Sequence, residues 1–331
     1  DFLALFPDQW LDFEVLPVST VDELGRLAAT ALQHGRLEGR ADQTAAAYAA
    51  ACRALYAGEF DQVNSFFAPG TRQESLTIQE AISRTGAARD KATAVATYLR
   101  PILEKARREP SPFGLIYALA TLAYLEAILQ QPVAKPHAEE AVALARQTGS
   151  RSALLYPLVA LAVATHDDPD QVLAAAEECI RTDLSQRQVW ATQCRGWVAS
   201  IYFQRGSITD GLRLARSALT HFHRTGHNYN VSILVMGLAN NLAPTDPEVA
   251  VQLAAIAESN AIAPLAAFTD TPVLSNIGSA AKQVGQKSVD AARSRAASLT
   301  YEDAIDFTFK TIDRLLENQP DPDSPAAQQT A

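Results

Sequence analysis

Catalytic signatures are missing from this chain. It holds no GxxxxGK[ST] phosphate loop, no GxGxxG, no HExxH, no CxxC and no GxSxG elbow. The chemistries those spacings serve, from phosphate cradling to nucleophile activation, are therefore not signalled, and the expectation is a chain that is not an enzyme and carries no cofactor. Cysteines number 3, at Cys52, Cys179 and Cys194, too few and too scattered for a disulfide framework or a zinc site. Each falls in a helical pattern, where a free thiol behaves as a small buried apolar group. No run of 18 apolar residues exists, and the densest stretch, Ala153 to Ala164, has the length of a core helix. No secretory signal is visible, so a cytoplasmic protein with no membrane partner is expected. The first residue is Asp1 and not Met, as expected of a fragment of something larger or of a processed product.

What is present is globular and helical. Of 331 residues, 48% are hydrophobic and 20% charged. The balance of 28 basic against 37 acidic side chains gives a net charge of −9 and argues against direct nucleic-acid binding, which needs clustered Lys and Arg. There are 61 alanines, the best helix formers. Lysines number 6 against 22 arginines, a bias that with the alanine excess suggests a GC-rich bacterial genome.

Helical periodicity runs from Val21 to about Glu317, and the spacing predicts an all-α chain. Residues 1–20 read as irregular, with a short alternating run at Phe13–Val18, and 318–331 as a polar, disordered tail. Start signals are frequent. Thr20 with Glu23 and Thr77 with Glu80 have the form of capping boxes, and Thr300 with Asp303 of a looser one. Asp168-Pro169 and Asp246-Pro247 place an N-cap before a first-turn proline.

Tight turns fall at Gly58, Pro132, Asp168, Gly206 and Asp246, separated by 74, 36, 38 and 40 residues. The first interval is twice 37, with one degenerate unit inside it. Such a period is that of helix-hairpin repeats of the tetratricopeptide type, and predicts an α-α superhelix over 21–317. Small residues such as Ala47, Ala51 and Ala54 before Gly58, and Gly211, Ala215 and Ala218 after Gly206, let paired helices approach.

On tetratricopeptide geometry, Gln193, Gly196, Ser200 and Gln204 face inward in the Gly206 unit, as do Tyr48, Cys52 and Tyr56 in the Gly58 unit. That face is either a binding groove or is plugged by neighbouring structure. Tyr117 with Tyr124, and Trp190 with Trp197, are each one heptad apart and read as packing between repeats in preference to a ligand cage. His221, His223 and His227 could suggest a metal, but Gly226 ends their helix and separates them; a last-turn polar cluster is the better reading. His166-Asp167-Asp168-Pro169-Asp170 reads likewise as an acidic, capped first turn, in preference to a hard-cation site or an acid/base pair.

The C-terminal part carries a resemblance. Gly237-Leu-Ala, then Asp246-Pro-Glu-Val-Ala-Val-Gln-Leu-Ala-Ala-Ile-Ala-Glu258, then Val284 to Ala292 and Leu299 to Ile305, resemble the closing segment, here about 273–317 with the helices before it, of STAND-type signal-transduction ATPases. These include LuxR-type and MalT-like transcriptional regulators and relatives fused to adenylate cyclase domains. The chain departs from that pattern at Asn240-Asn241, where small apolar residues are usual, and at Val289 and Arg293, where aromatics are. The resemblance implies a sensor or scaffold region that binds a partner protein or small effector and controls ATPase or DNA-binding modules elsewhere in a parent protein. A free-standing interaction adaptor is the alternative, and an enzyme on an α-hairpin scaffold the remote one.

Overall fold

The computed structural model describes residues 18–34, 40–57, 60–67, 77–88, 90–108, 112–183, 189–259 and 275–318. Among them every regular element is helical. Residues 13–17, part of the alternating run, and 319–331 lie outside the described residues, as does the turn at Gly58.

The N-terminal part holds α1 (Val18–Gln33), α2 (Arg40–Ala57), the short α3 (Phe60–Val63) and α4 (Ile78–Ala87). Helix α1 begins ahead of Thr20, so Thr20 is an interior residue and not the cap predicted for it. Phe60–Phe66 is one short turn running into a 3-10 turn, shorter than the helix expected over 60–68. Next come α5 (Lys91–Ala94) and α6 (Arg100–Ala106), joined by a π turn at Val95–Leu99. Pro101 accounts for that wide turn: it has no N–H to donate to Thr97, and its ring crowds that carbonyl.

From here the chain is a run of hairpins: α7 (Pro112–Ile128) with α8 (Ala134–Thr148), α9 (Arg151–Ala164) with α10 (Pro169–Thr182), α11 (Val189–Gln204) with α12 (Ile208–Thr225), α13 (Asn228–Leu242) with α14 (Pro247–Glu258), and α15 (Ser275–Val284) with α16 (Gln286–Ala297). The four described turns predicted from Pro132, Asp168, Gly206 and Asp246 all fall inside these pairs. The odd-numbered helices of successive hairpins pack on one another, α7 on α9, α9 on α11, α11 on α13 and α13 on α15. Helix α17 (Tyr301–Glu317) folds back over α12 and α14, and α2 meets α13.

Local chemistry sets the helix ends. Asp168 accepts from the backbone N–H groups of Asp170 and Gln171, Asp246 from that of Val249, and both precede proline. Thr300 and Asp303 form a full reciprocal box. Thr77 accepts from Glu80 N–H at 3.2 Å, but the Glu80 carboxylate turns to Arg84, so that box is half made. Gly149 and Gly226 end α8 and α12 in the left-handed region, at φ 68° and 75°, which glycine enters without a Cβ penalty.

Packing follows the pattern of small against large. Tyr156 of α9 stacks on Trp190 of α11 at 4.2 Å and meets Tyr117 of α7 at 5.0 Å, so one aromatic column ties three hairpins. On the even-numbered helices, Arg107 pairs with Glu140 and Arg146 with Glu178, each bridging successive repeats. Buried Glu126 of α7 accepts from His137 of α8 at 2.7 Å, with Arg100 of α6 at 3.4 Å.

Candidate functional site

A cavity of about 370 Å³ opens on the face shared by α7, α11 and α13. Helix α11 contributes Gln193, Gly196, Trp197, Ser200 and Gln204, and α13 contributes Asn230, Ile233, Leu234, Gly237 and Asn241. Both sets recur at three- and four-residue intervals, which places each on one helical face. Tyr124 and Ile128 close the α7 side, and Val163 and His166 at the end of α9 form another wall.

The floor is apolar and the mouth is rimmed with amides. Val163, Ile201, Phe203, Met236 and Leu238 are buried, whereas Gln130, Gln204 and His166 are exposed. Asn241 Nδ2 donates to Ser200 Oγ at 2.8 Å, and Ser200 Oγ donates to the Gly196 carbonyl at 3.3 Å. Gln193 hydrogen-bonds the Tyr124 phenol, whose ionisation burial pushes above the ordinary tyrosine value. Asn240 reaches out of the wall to cap the next helix, its Oδ1 accepting from Asn276 N–H at 3.2 Å. His166 Nδ1 lies 3.2 Å from the Val163 carbonyl. A carbonyl only accepts, so Nδ1 carries the proton and Nε2 is the free nitrogen when the ring is neutral.

Two features of this wall carry a cost. Gln130 sits at φ 54°, left-handed for a residue with a Cβ. Gly196 and Gly237 occupy helix interiors, where glycine is the weakest helix former after proline. A Cβ on Gly196 would meet Leu234 Cδ1 at 3.2 Å, while one on Gly237 would meet nothing within 4 Å among the described residues. Gly237 thus leaves the cavity wide without being needed for packing. The Trp197 indole N–H is buried and has no acceptor among the described residues.

Of the residues singled out in the sequence, the cavity brings together Gln193, Gly196, Ser200 and Gln204. Tyr48 and Cys52 do not line it; they are buried with Ala28 and Ala49 between α1 and α2. Tyr56 lies in α2, and its side chain is outside the described residues. The two aromatic stripes divide: Tyr117 and Trp190 belong to the packed column, Tyr124 and Trp197 to the cavity wall. Sequence reasoning missed Asn230, Gly237 and Asn241. Their signal was the polar and glycine interruption of an apolar helix, noted at Asn240-Asn241 as a departure from the resembling family.

The histidines part company. Gly226 breaks the helix as expected. His223 faces α17, with Nδ1 3.1 Å from the Tyr301 hydroxyl, and burial raises that phenol to about 12. His227 packs edge-on against Phe222 and is held down to about 4, by burial first and by His221 second. Asp168 spends its carboxylate on the α10 N-terminus, and the Gln171 N–H holds it below the usual range. Among the described residues no group of three or more His, Cys, Asp or Glu is placed to hold a metal ion, and no helix is long and apolar enough to cross a membrane. Comparison with protein-family models, with curated proteins and with solved structures finds no match.

Proposed function

We propose that this chain is the sensor region of a bacterial cytoplasmic signal-transduction or transcriptional regulator, a tetratricopeptide-like superhelix related to those of STAND-type and LuxR-type proteins. In this reading it binds a small effector or partner protein and sets the activity of an ATPase or DNA-binding module of its parent protein. The observation that carries the reading is the cavity, whose walls come from α7, α9, α11 and α13, hence from four successive hairpins. A ligand touching several hairpins at once has a different affinity for each curvature of the stack. Differential affinity is what shifts a conformational equilibrium. The turn period of 36–40 residues and the C-terminal resemblance support the same reading.

The test is a thermal-shift screen of the purified chain against sugars, nucleotides and common metabolites, run beside Gly237→Leu. Leucine there fills the open space beside the helix. Binding to the folded state raises the melting temperature, by about 2.7 kcal/mol of stability at one hundred times the dissociation constant. A compound that shifts the native chain and not the variant supports an effector site. If no compound acts and a purified partner binds both forms equally, the effector reading of the cavity falls and binding of a partner protein away from it takes its place.

A further inference from the structure

The cavity lining named above contains no Asp, Glu, Lys or Arg among the described residues, in a chain in which 20% of residues are charged. Its polar groups are carboxamides, one hydroxyl, one phenol, one indole and one imidazole. Charged ligands are recognised through opposite charges, because a buried ion without a counter-charge costs several kcal/mol. This wall offers none. A carboxamide presents a donor and an acceptor together, so it pairs with neutral amides and hydroxyls. Among the described residues the carboxamides of Gln130, Gln204 and Asn230 have no protein partner, and all three border the cavity. Below them lie Val163, Trp197, Ile201 and Leu234, and the open space at Gly237.

We infer that the cavity takes an uncharged ligand with an apolar body, seated against Trp197 and Leu234, and an amide- or hydroxyl-type head held at the mouth by Gln204, Gln130 and Asn230. The inference rests on the reading of this cavity as an effector site. It ranks nucleotides, sugar phosphates, carboxylic acids and polyamines below neutral ligands as occupants.

Three probes of one skeleton separate the charge states: 4-phenylbutanamide, 4-phenylbutanoate and 4-phenylbutylammonium. Each competes with Nile red, an uncharged fluorophore, for the full chain. Nile red emission is expected to rise on binding, and the amide to displace it at concentrations at least about tenfold lower than either ion. Gly237→Leu is expected to abolish dye binding with an unchanged circular dichroism spectrum. Gln204→Glu, on an exposed side chain, keeps the question open to test if the leucine variant does not fold. It is expected to favour the ammonium probe by about threefold or more. An ion that competes as well as the amide, in a site that Gly237→Leu blocks, overturns the ligand class and leaves the effector reading standing. Dye binding unaffected by Gly237→Leu and by Gln204→Glu places the probe elsewhere and overturns both. Absence of dye and amide binding overturns the ligand class.

Discussion

Gly237→Ala and Gly211→Ala add the same methyl group to the interiors of α13 and α12, into opposite surroundings. At Gly237 the new Cβ meets nothing within 4 Å among the described residues. The change then reports helix propensity alone, a gain of about 0.8–1 kcal/mol for alanine over glycine. At Gly211 the Cβ lands 2.9 Å from Cδ2 and Cε2 of Phe203 and 3.1 Å from the Ala199 carbonyl oxygen. Phe203 is buried and Ala199 is backbone of the facing helix, so neither yields freely. Overpacking of that kind costs about 1–3 kcal/mol, which offsets or exceeds the propensity gain. The first variant is therefore expected to be more stable than the native chain by about 1 kcal/mol, and the second less stable by up to about 2 kcal/mol. Urea unfolding, read as a midpoint at constant slope, measures both. The two sites lie in neighbouring hairpins of one core cluster, so they report on the same stretch of the stack. A loss of stability in Gly237→Ala refutes the reasoning, because it means that the space beside α13 is filled.

Acid offers another test. His227 is held at about 4 in the fold against about 6.5 in an unfolded chain. A depressed imidazole favours the neutral ring, so its contribution is complete above pH 6.5 and is lost as the pH falls towards 4. The loss is about 3 kcal/mol by linkage; burial first shifts His221 in the same direction, with Arg195 and Arg224 adding to it and Asp183 opposing it. Unfolding curves at pH 7.5 and 4.5 are expected to diverge in the native chain and to diverge less in His227→Gln; equal divergence in both contradicts it. At Glu126, whose side chain is 1% exposed, His137→Ala leaves the buried carboxylate with Arg100 alone, at 3.4 Å, and is expected to cost about 2 kcal/mol. Glu126→Leu leaves only the more exposed His137 and Arg100, 25% and 51%, to rehydrate, and is expected to cost less. The reverse order in chemical denaturation counts against the pairing. The three cysteines are buried, and burial first, then Cys179, pushes the Cys194 thiol well up. Iodoacetamide at pH 8 is expected to label them only in denaturant, as mass spectrometry can read.

The site was half legible in the sequence. Gln193, Gly196, Ser200 and Gln204 follow from helical spacing once the hairpin is placed, since one face of α11 is set by 3.6 residues per turn. Asn230, Gly237 and Asn241 follow the same spacing on α13 but had no turn-based reason to be read as a wall. Tyr48 obeyed the same repeat logic as Gln193, yet α1 covers it. Which member of a face meets a cavity and which meets a neighbouring helix depends on how consecutive hairpins stack.

What the sequence by itself determined is local. Asp168, Asp246 and Thr300 cap within three residues, Gly149 and Gly226 end helices by admitting a positive φ, and the alternation of apolar faces and turns sets the hairpin period. Those interactions span four residues or fewer, so a short window contains both partners. Only the tertiary structure decided the rest. Arg216 pairs with Asp313 across 97 residues, Asn241 reaches Ser200 across 41, and Tyr156 stands between Tyr117 and Trp190 from three hairpins. Helix α1 starts before the Thr20 signal, and α17 returns over α12. Such contacts are selected by packing between hairpins, where the free energy depends on curvature and on side chains far apart in the chain.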